Sequence, residues 1–72
     1  MWYYDSPVGR FVILKANDGR YALVHDDIIY DRNANPAILA DNFYSHATGC
    51  GAWDALSPQS CDPLDLDGWS KD

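Results

Sequence analysis

The sequence predicts an α+β domain in which a three-stranded antiparallel sheet carries one helix across one face (βββα). Two apolar segments of strand length, residues 11–14 and 21–24, flank residues 17–19, which read Asn-Asp-Gly. Asp-Gly between two such segments is a strong hairpin signal, because glycine adopts a positive φ without steric cost. A third apolar segment, residues 28–30, precedes a helical pattern that begins at residues 35–36. These elements account for most of what a chain of 72 residues can form.

The hairpin allows two registers, each with its own cross-strand partners. A three-residue loop with Gly19 in the left-handed conformation places Val12 opposite Val24, whereas a two-residue turn places Ile13 opposite Val24. A slip of one residue changes the partners of every position, so the sequence leaves the register open. Both strands are apolar on both faces in either register. One face therefore takes the helix, and the other needs a second cover.

The predicted helix runs from Pro36 to about Thr48. Asparagine followed by proline is a typical helix start, and Gly49 is placed to end the last turn. Apolar residues spaced three and four apart form one stripe, which consists of Pro36, Leu39, Ala40, Phe43 and Ala47. We therefore expect the helix to pack on the sheet through Leu39 and Phe43.

The chain is predicted to form a single domain. Residues 1–56 make the βββα unit, and residues 57–72 make an irregular acidic tail that packs back through its apolar anchors, Leu64, Leu66 and Trp69. Turn-forming Gly, Pro, Ser and Asp dominate this tail. Its expected position is across exposed apolar surface such as the second face of the sheet.

Composition and charge narrow the classes of function. A hydrophobic content of 47%, with three Trp, five Tyr and two Phe, is enough for a packed core. The net charge is −6, and the five basic residues are scattered, so we predict no binding to duplex DNA. The sequence lacks a stretch apolar enough to span a membrane and lacks a recognisable signal peptide. These features predict a soluble cytoplasmic protein with no membrane partner.

No combination of residues indicates catalysis, a cofactor or a metal. His46 and Cys50 lie four residues apart and could share a zinc ion with Cys61. Structural zinc sites usually contain a paired Cys-x2-Cys, however, and this sequence has none. Cys50 with His46 could also serve as nucleophile and base, but no orienting acid or oxyanion-binding group accompanies them. The prediction is a protein that is not an enzyme and holds no cofactor or metal.

Aromatic residues are the candidates for an interaction surface. Trp and Tyr are enriched where proteins bind one another, although in a short chain most of them pack in the core. The predicted surface residues are Trp2, Tyr3, Tyr4, Tyr21, Tyr30 and Trp69. The second apolar face of the sheet is the other candidate.

Short motifs occur along nearly the whole chain. These motifs are Trp2-Tyr3-Tyr4, Ser6-Pro7-Val8-Gly9, Asp18-Gly19-Arg20-Tyr21, Ala40-Asp41, Tyr44, His46-Ala47-Thr48-Gly49-Cys50, Trp53-Asp54, Asp65-Leu66 and Trp69. Together they resemble a family of small uncharacterised bacterial proteins, which implies a stand-alone bacterial protein and supplies no function. The predicted order of elements also resembles the DNA-binding domains of plant transcription factors and the arm domains of phage integrases. Those domains read DNA with a basic sheet, whereas the charges here are mixed.

The leading prediction is a non-catalytic protein-interaction or accessory module whose partner is an unknown protein or a second copy in a homodimer. One alternative is a nucleic-acid-associated protein, or an acidic mimic of DNA that inhibits a nucleic-acid enzyme. Another is a small metal or thiol protein that uses His46, Cys50 and Cys61. A basic cluster on the sheet favours nucleic-acid binding, a one-faced array of aspartates favours the mimic, and convergence of the three ligands favours a metal.

Overall fold

The computed structural model describes residues 1–58 and 62–72. The strands are β1 (Trp2–Ser6), β2 (Gly9–Lys15), β3 (Tyr21–His25), β4 (Ile28–Asn33) and β5 (Ser70–Lys71). The helices are α1 (Pro36–Tyr44) and the short α2 (Gly51–Asp54), and a 3₁₀ turn spans Leu66–Gly68. All strand pairs are antiparallel, in the order β4-β3-β2-β1-β5.

The α+β class with one main helix is confirmed, but the predicted number of three strands is wrong. Two further strands, β1 and β5, extend the sheet to five. Strand β1 begins with Trp-Tyr-Tyr, residues that favour strands. Its turn into β2 is closed by Ser6, whose hydroxyl donates to the Gly9 carbonyl at 2.6 Å and accepts the Val8 N–H at 3.2 Å.

The β2–β3 hairpin adopts the three-residue loop. Gly19 has a φ of +85°, and its N–H donates to the Ala16 carbonyl at 3.2 Å. Val12 accordingly pairs with Val24 and Leu14 with Ala22. The next hairpin turns through Asp26 and Asp27, both of which have positive φ, as a type I′ two-residue turn requires.

Successive side chains of each strand point to opposite faces of the sheet, and the helices cover only one of these faces. The inner face meets α1 and consists chiefly of Trp2, Tyr4, Phe11, Ile13, Tyr21, Leu23 and His25. The outer face carries the alternate residues, chiefly Tyr3, Val12, Leu14, Ala22, Val24 and Ile29.

Aromatic rings fill the core between the inner face and the helices. The Phe43 and Trp53 rings stack at 4.1 Å, and Phe11 meets the edge of Phe43 at 4.8 Å. The Trp53 indole N–H donates to the Phe43 carbonyl at 2.8 Å. Leu39 and Ala40 are fully buried with Phe43, which confirms the predicted packing face of the helix.

Helix α1 ends at Tyr44, earlier than the predicted end near Thr48. The Ala47 N–H donates to the Asn42 carbonyl and the His46 N–H to the Phe43 carbonyl, each at 3.0 Å. This pair of bonds is the Schellman ending, in which the residue after the cap is left-handed and usually glycine. Here that residue is His46, with a φ of +54°.

The C-terminal segment packs on the inner side of the sheet. The Trp69 ring lies 5.0 Å from Phe43 and 6.0 Å from Tyr4. Leu66 also packs against the core, whereas Leu64 is 67% exposed. The sequence predicted that this segment would lie across the second face of the sheet, but it lies on the inner side instead. None of the described helices is long and apolar enough to cross a lipid bilayer.

Candidate interaction surface

The outer face of the sheet is an apolar surface that the described helices leave uncovered. Its central row runs across four strands through Tyr3, Val12, Val24 and Ile29. The neighbouring row adds the half-buried Leu14, whose partner Ala22 is fully buried. Hairpin register decides this composition, because the three-residue loop at Gly19 directs Val12 and Val24 to the same face.

Burial distinguishes the two faces of the same strands. In β2, Phe11 and Ile13 are 0% exposed, whereas Val12 and Leu14 between and beyond them are only half-buried. Ile29 on β4 is 46% exposed. The aromatic rings from α1, α2 and the C-terminal segment contact inner-face residues, so the outer face meets no helix in the described part of the chain. Neighbouring apolar side chains that stay partly exposed in this way are typical of contact sites.

An arginine–aspartate pair borders the apolar row at one end. Arg10 donates to both carboxylate oxygens of Asp5, at 2.6 and 3.1 Å, and its guanidinium lies 4.4 Å from the centre of the Tyr3 ring. The hydrogen bond from Arg10 holds the pKa of Asp5 below its ordinary value, and the same contact raises the pKa of Arg10. The Asp26 and Asp27 turn lies at this same end, beyond β3.

The opposite end of the outer face carries Arg20 and Arg32. Arg32 follows the register of Ala22 onto the outer face and lies 3.6 Å from Asp18. The Asp18 carboxylate also accepts the backbone N–H of Arg20, which fixes the loop. We call this end, which contains the loop of residues 17–19, the loop end. The other end, which contains the Asp26 and Asp27 turn, is the hairpin end. The apolar row between them contains no charged side chain.

The aromatic residues singled out from the sequence divide between the two sides. Tyr3 lies on the outer face, in the central row. The others face the helix side: Trp69 is buried in the core, and the partly buried residues packed against it are Trp2, Tyr4, Tyr21 and Tyr30. The predicted set therefore does not form one continuous surface. The aliphatic alternate positions of β2 and β3 belong to the second apolar face, which the sequence offered as the other candidate surface.

A buried histidine fastens the segment after α1 to the core. The His46 ring stacks on Trp53 at 4.2 Å, and Trp53 in turn stacks on Phe43. His46 Nδ1 donates to the Trp53 carbonyl at 2.9 Å, and Nε2 lies 3.1 Å from the Asp62 carboxylate. The carbonyl can only accept, so Nδ1 is the donor in that bond. With side chains 6% and 3% exposed, His46 and Asp62 form a buried structural pair.

Asp54 closes the loop between α1 and α2. Its carboxylate accepts the backbone N–H groups of Thr48 and Gly49 and the Thr48 hydroxyl, at 2.9 to 3.0 Å. The Thr48 hydroxyl oxygen then accepts the Cys50 N–H at 3.0 Å. These bonds fix the loop, and the loop holds the Cys50 thiol at the start of α2, inside the core.

Cys50 faces His25, not His46. Its Sγ lies 4.0 Å from His25 Nδ1, while His25 Nε2 lies 2.8 Å from the Val8 carbonyl. The nearby Tyr30 hydroxyl has a pKa raised by burial and by a hydrogen bond to Cys50. Because Cys50 is only 1% exposed and its loop is closed around it, this cluster joins the sheet to α2.

The metal-ligand set considered from the sequence is not brought together in the described residues. His46 uses both ring nitrogens on protein partners, and Cys50 lies beside a different histidine. Within residues 1–58 and 62–72, no group of three or more His, Cys, Asp or Glu is placed to hold a metal ion. Cys61 lies outside the described residues.

Comparison with known proteins leaves the surface to be interpreted from its own chemistry. No known protein family, no curated protein and no solved structure matches this chain. The family resemblance stated from the sequence motifs therefore stays a prediction.

Proposed function

We propose that this protein is a non-catalytic protein-interaction or accessory module that binds another protein chain through the outer face of its sheet. The observation that carries the proposal is the central row, in which Val12, Val24 and Ile29 stand on three adjacent strands without cover from the described helices. Burying such aliphatic surface yields about 25 cal/mol per Å².

The charges around the row support a protein partner more than a nucleic acid. Arg10 and Arg32 each contact an aspartate, Asp5 and Asp18, so these guanidinium groups are already partly neutralised. A surface that binds phosphate needs clustered cations that release counterions. An apolar centre with a mixed polar rim is instead the usual anatomy of a protein interface.

The test uses two matched variants. Ile29→Lys places a charge in the outer face, and Ile38→Lys places the same charge on α1, where the isoleucine is 42% exposed compared with 46% for Ile29. Tagged wild-type and variant chains are used to capture proteins from a bacterial lysate, and an added untagged copy of the chain is scored as a partner. We expect one protein to be retained by the wild type and Ile38→Lys but lost from Ile29→Lys. Equal retention by both variants, or capture of no protein by the wild type, contradicts the proposal.

A further inference from the structure

We infer that the partner on the outer face is a second copy of this chain, packed face to face with its strands antiparallel to those of the first. This inference rests on the proposed function and names the occupant of the same surface. It follows from the way charge is distributed over the two ends of that face.

The two ends of the outer face carry opposite charge excess. The loop end has Arg20 and Arg32 with Asp18. The hairpin end has Asp5 paired with Arg10, and the turn of Asp26 and Asp27 at the edge of the sheet adds two further aspartates to this end. Between them lies the uncharged row, so the face has an apolar centre with a positive end and a negative end.

A two-fold axis along the central row makes such a face complementary to itself. The axis lies across the strands, so each strand faces its own copy running in the opposite direction. The loop end of β4, with Arg32, then faces the Asp26 and Asp27 turn of the second copy. The same contact occurs twice, as in any symmetric dimer. An axis along the strands would instead bring ends of like charge together, and like charges across an interface are costly.

The charge on the rest of the molecule also favours association through the outer face. The two ends, with the turn and the loop at their edges included, hold four aspartates and three arginines, which is one unit of the net charge of −6. The other surfaces therefore hold most of the acidic excess. Two copies meet the least electrostatic repulsion when they approach through their outer faces.

The experiment is sedimentation equilibrium of the full chain over a concentration series, up to about 1 mM. The wild type and Ile38→Lys are expected to rise from the 8.1 kDa monomer towards twice that mass. Ile29→Lys is expected to raise the dissociation constant at least about tenfold, because it places an unpaired charge within the apolar row. Raising the salt from about 0.05 M to about 0.5 M should weaken the wild-type dimer several-fold.

Charge variants test the orientation of the two copies. Asp26→Asn with Asp27→Asn keeps residues that tolerate the left-handed backbone of the turn, and Arg32→Gln changes the opposite end. Each change should weaken the dimer and reduce its salt dependence, and the combination should cost little more than either alone. Additive losses, or unchanged salt dependence, contradict the antiparallel arrangement.

Two outcomes separate this inference from the proposed function. A wild type that stays monomeric, while another protein is captured in an Ile29-dependent manner, overturns the second copy and leaves the interaction module standing. A monomeric wild type without any such capture overturns both. A dimer that Ile38→Lys disrupts and Ile29→Lys leaves intact also overturns both, because it places the interface on the helix side.

Discussion

The inner and outer faces of the sheet are made from alternate residues of the same strands, yet they differ in what they contact. Ile13 and Leu23, on the inner face, are fully buried beneath α1 and the aromatic core. Their neighbours Val12 and Val24, on the outer face, are half-buried and border charged residues. Similar apolar residues therefore differ in role: on the inner face they hold the fold together, and on the outer face they stay partly exposed, where we propose that a partner binds.

The polar groups follow the same division. On the inner side, His25 and His46 are held by protein acceptors within the core. On the outer side, the pair between Arg10 and Asp5 is exposed to solvent. Changes on the inner side should therefore lower the free energy of unfolding, and changes on the outer side should mainly alter association.

The largest expected effect is on the inner side, at Phe43. Phe43→Ala removes the ring that contacts Phe11, Trp53 and Trp69, and should lower the free energy of unfolding by about 3–5 kcal/mol. A domain of this size has little margin beyond that loss. Thermal unfolding followed by circular dichroism measures it. Tyr44→Ala, at an exposed position of the same helix, is the control, and equal losses in the two variants would contradict the assigned packing face.

An identical substitution on both faces sharpens the comparison. Leu23→Ala on the inner face should cost about 2–5 kcal/mol, because it leaves a cavity in the core. Leu14→Ala on the outer face should cost about 1 kcal/mol or less, since its side chain is only partly removed from water. Urea unfolding is measured at low protein concentration, so that association does not contribute. Similar costs would mean that the outer face is also part of the core.

Breaking the buried His46–Asp62 pair is expected to have the next largest effect on the free energy of unfolding. Asp62→Ala leaves His46 Nε2 without its partner inside the core, and should cost about 1–3 kcal/mol. Asp67→Ala, at an exposed position in the same segment, should stay within about 0.5 kcal/mol of the wild type. Near-normal stability of Asp62→Ala would show that the pair does not fasten the C-terminal segment.

The smallest expected effect concerns the exposed pair on the outer face. Arg10→Gln removes the hydrogen bond that lowers the pKa of Asp5, so this pKa should rise towards its ordinary value. Because the folded-state pKa is lowered, the pair favours folding above the ordinary carboxyl pKa and loses this contribution as the pH falls through the lowered value. Carboxyl NMR titration of both proteins measures the change. An unchanged Asp5 titration would contradict the pairing.

The β2–β3 hairpin could be predicted from the sequence because its turn residues, Asp18 and Gly19, are a local signal. Asp18-Gly19 predicted the turn but fitted two registers, and the structure selects the one that pairs Val12 with Val24. Strand β1 was missed although its Trp-Tyr-Tyr sequence and the turn at Ser6 were legible signals. Strand β5 has only two residues and pairs with β1 from the far end of the chain, so no local pattern indicates it.

The end of α1 and the histidine contacts could not be derived from local rules. The expected stop was Gly49, but the left-handed position falls on His46, where a side chain strains the backbone. Contacts with Trp53 and Asp62 support that conformation, and Asp62 is sixteen residues away in sequence. The pairing of Cys50 with His25 spans twenty-five residues. Such contacts depend on tertiary packing, which overrides the local preference for glycine.

The most direct test of the outer face as the binding surface is its protection from a soluble paramagnetic nitroxide. Methyl NMR signals of Val12, Leu14 and Val24 are compared with those of Ile38 in dilute protein and in concentrated protein or with the captured partner. We predict that nitroxide broadening of the three outer-face residues falls by at least about half on association, while that of Ile38 stays the same. Unchanged broadening on the outer face, with protection at Ile38, would contradict the account.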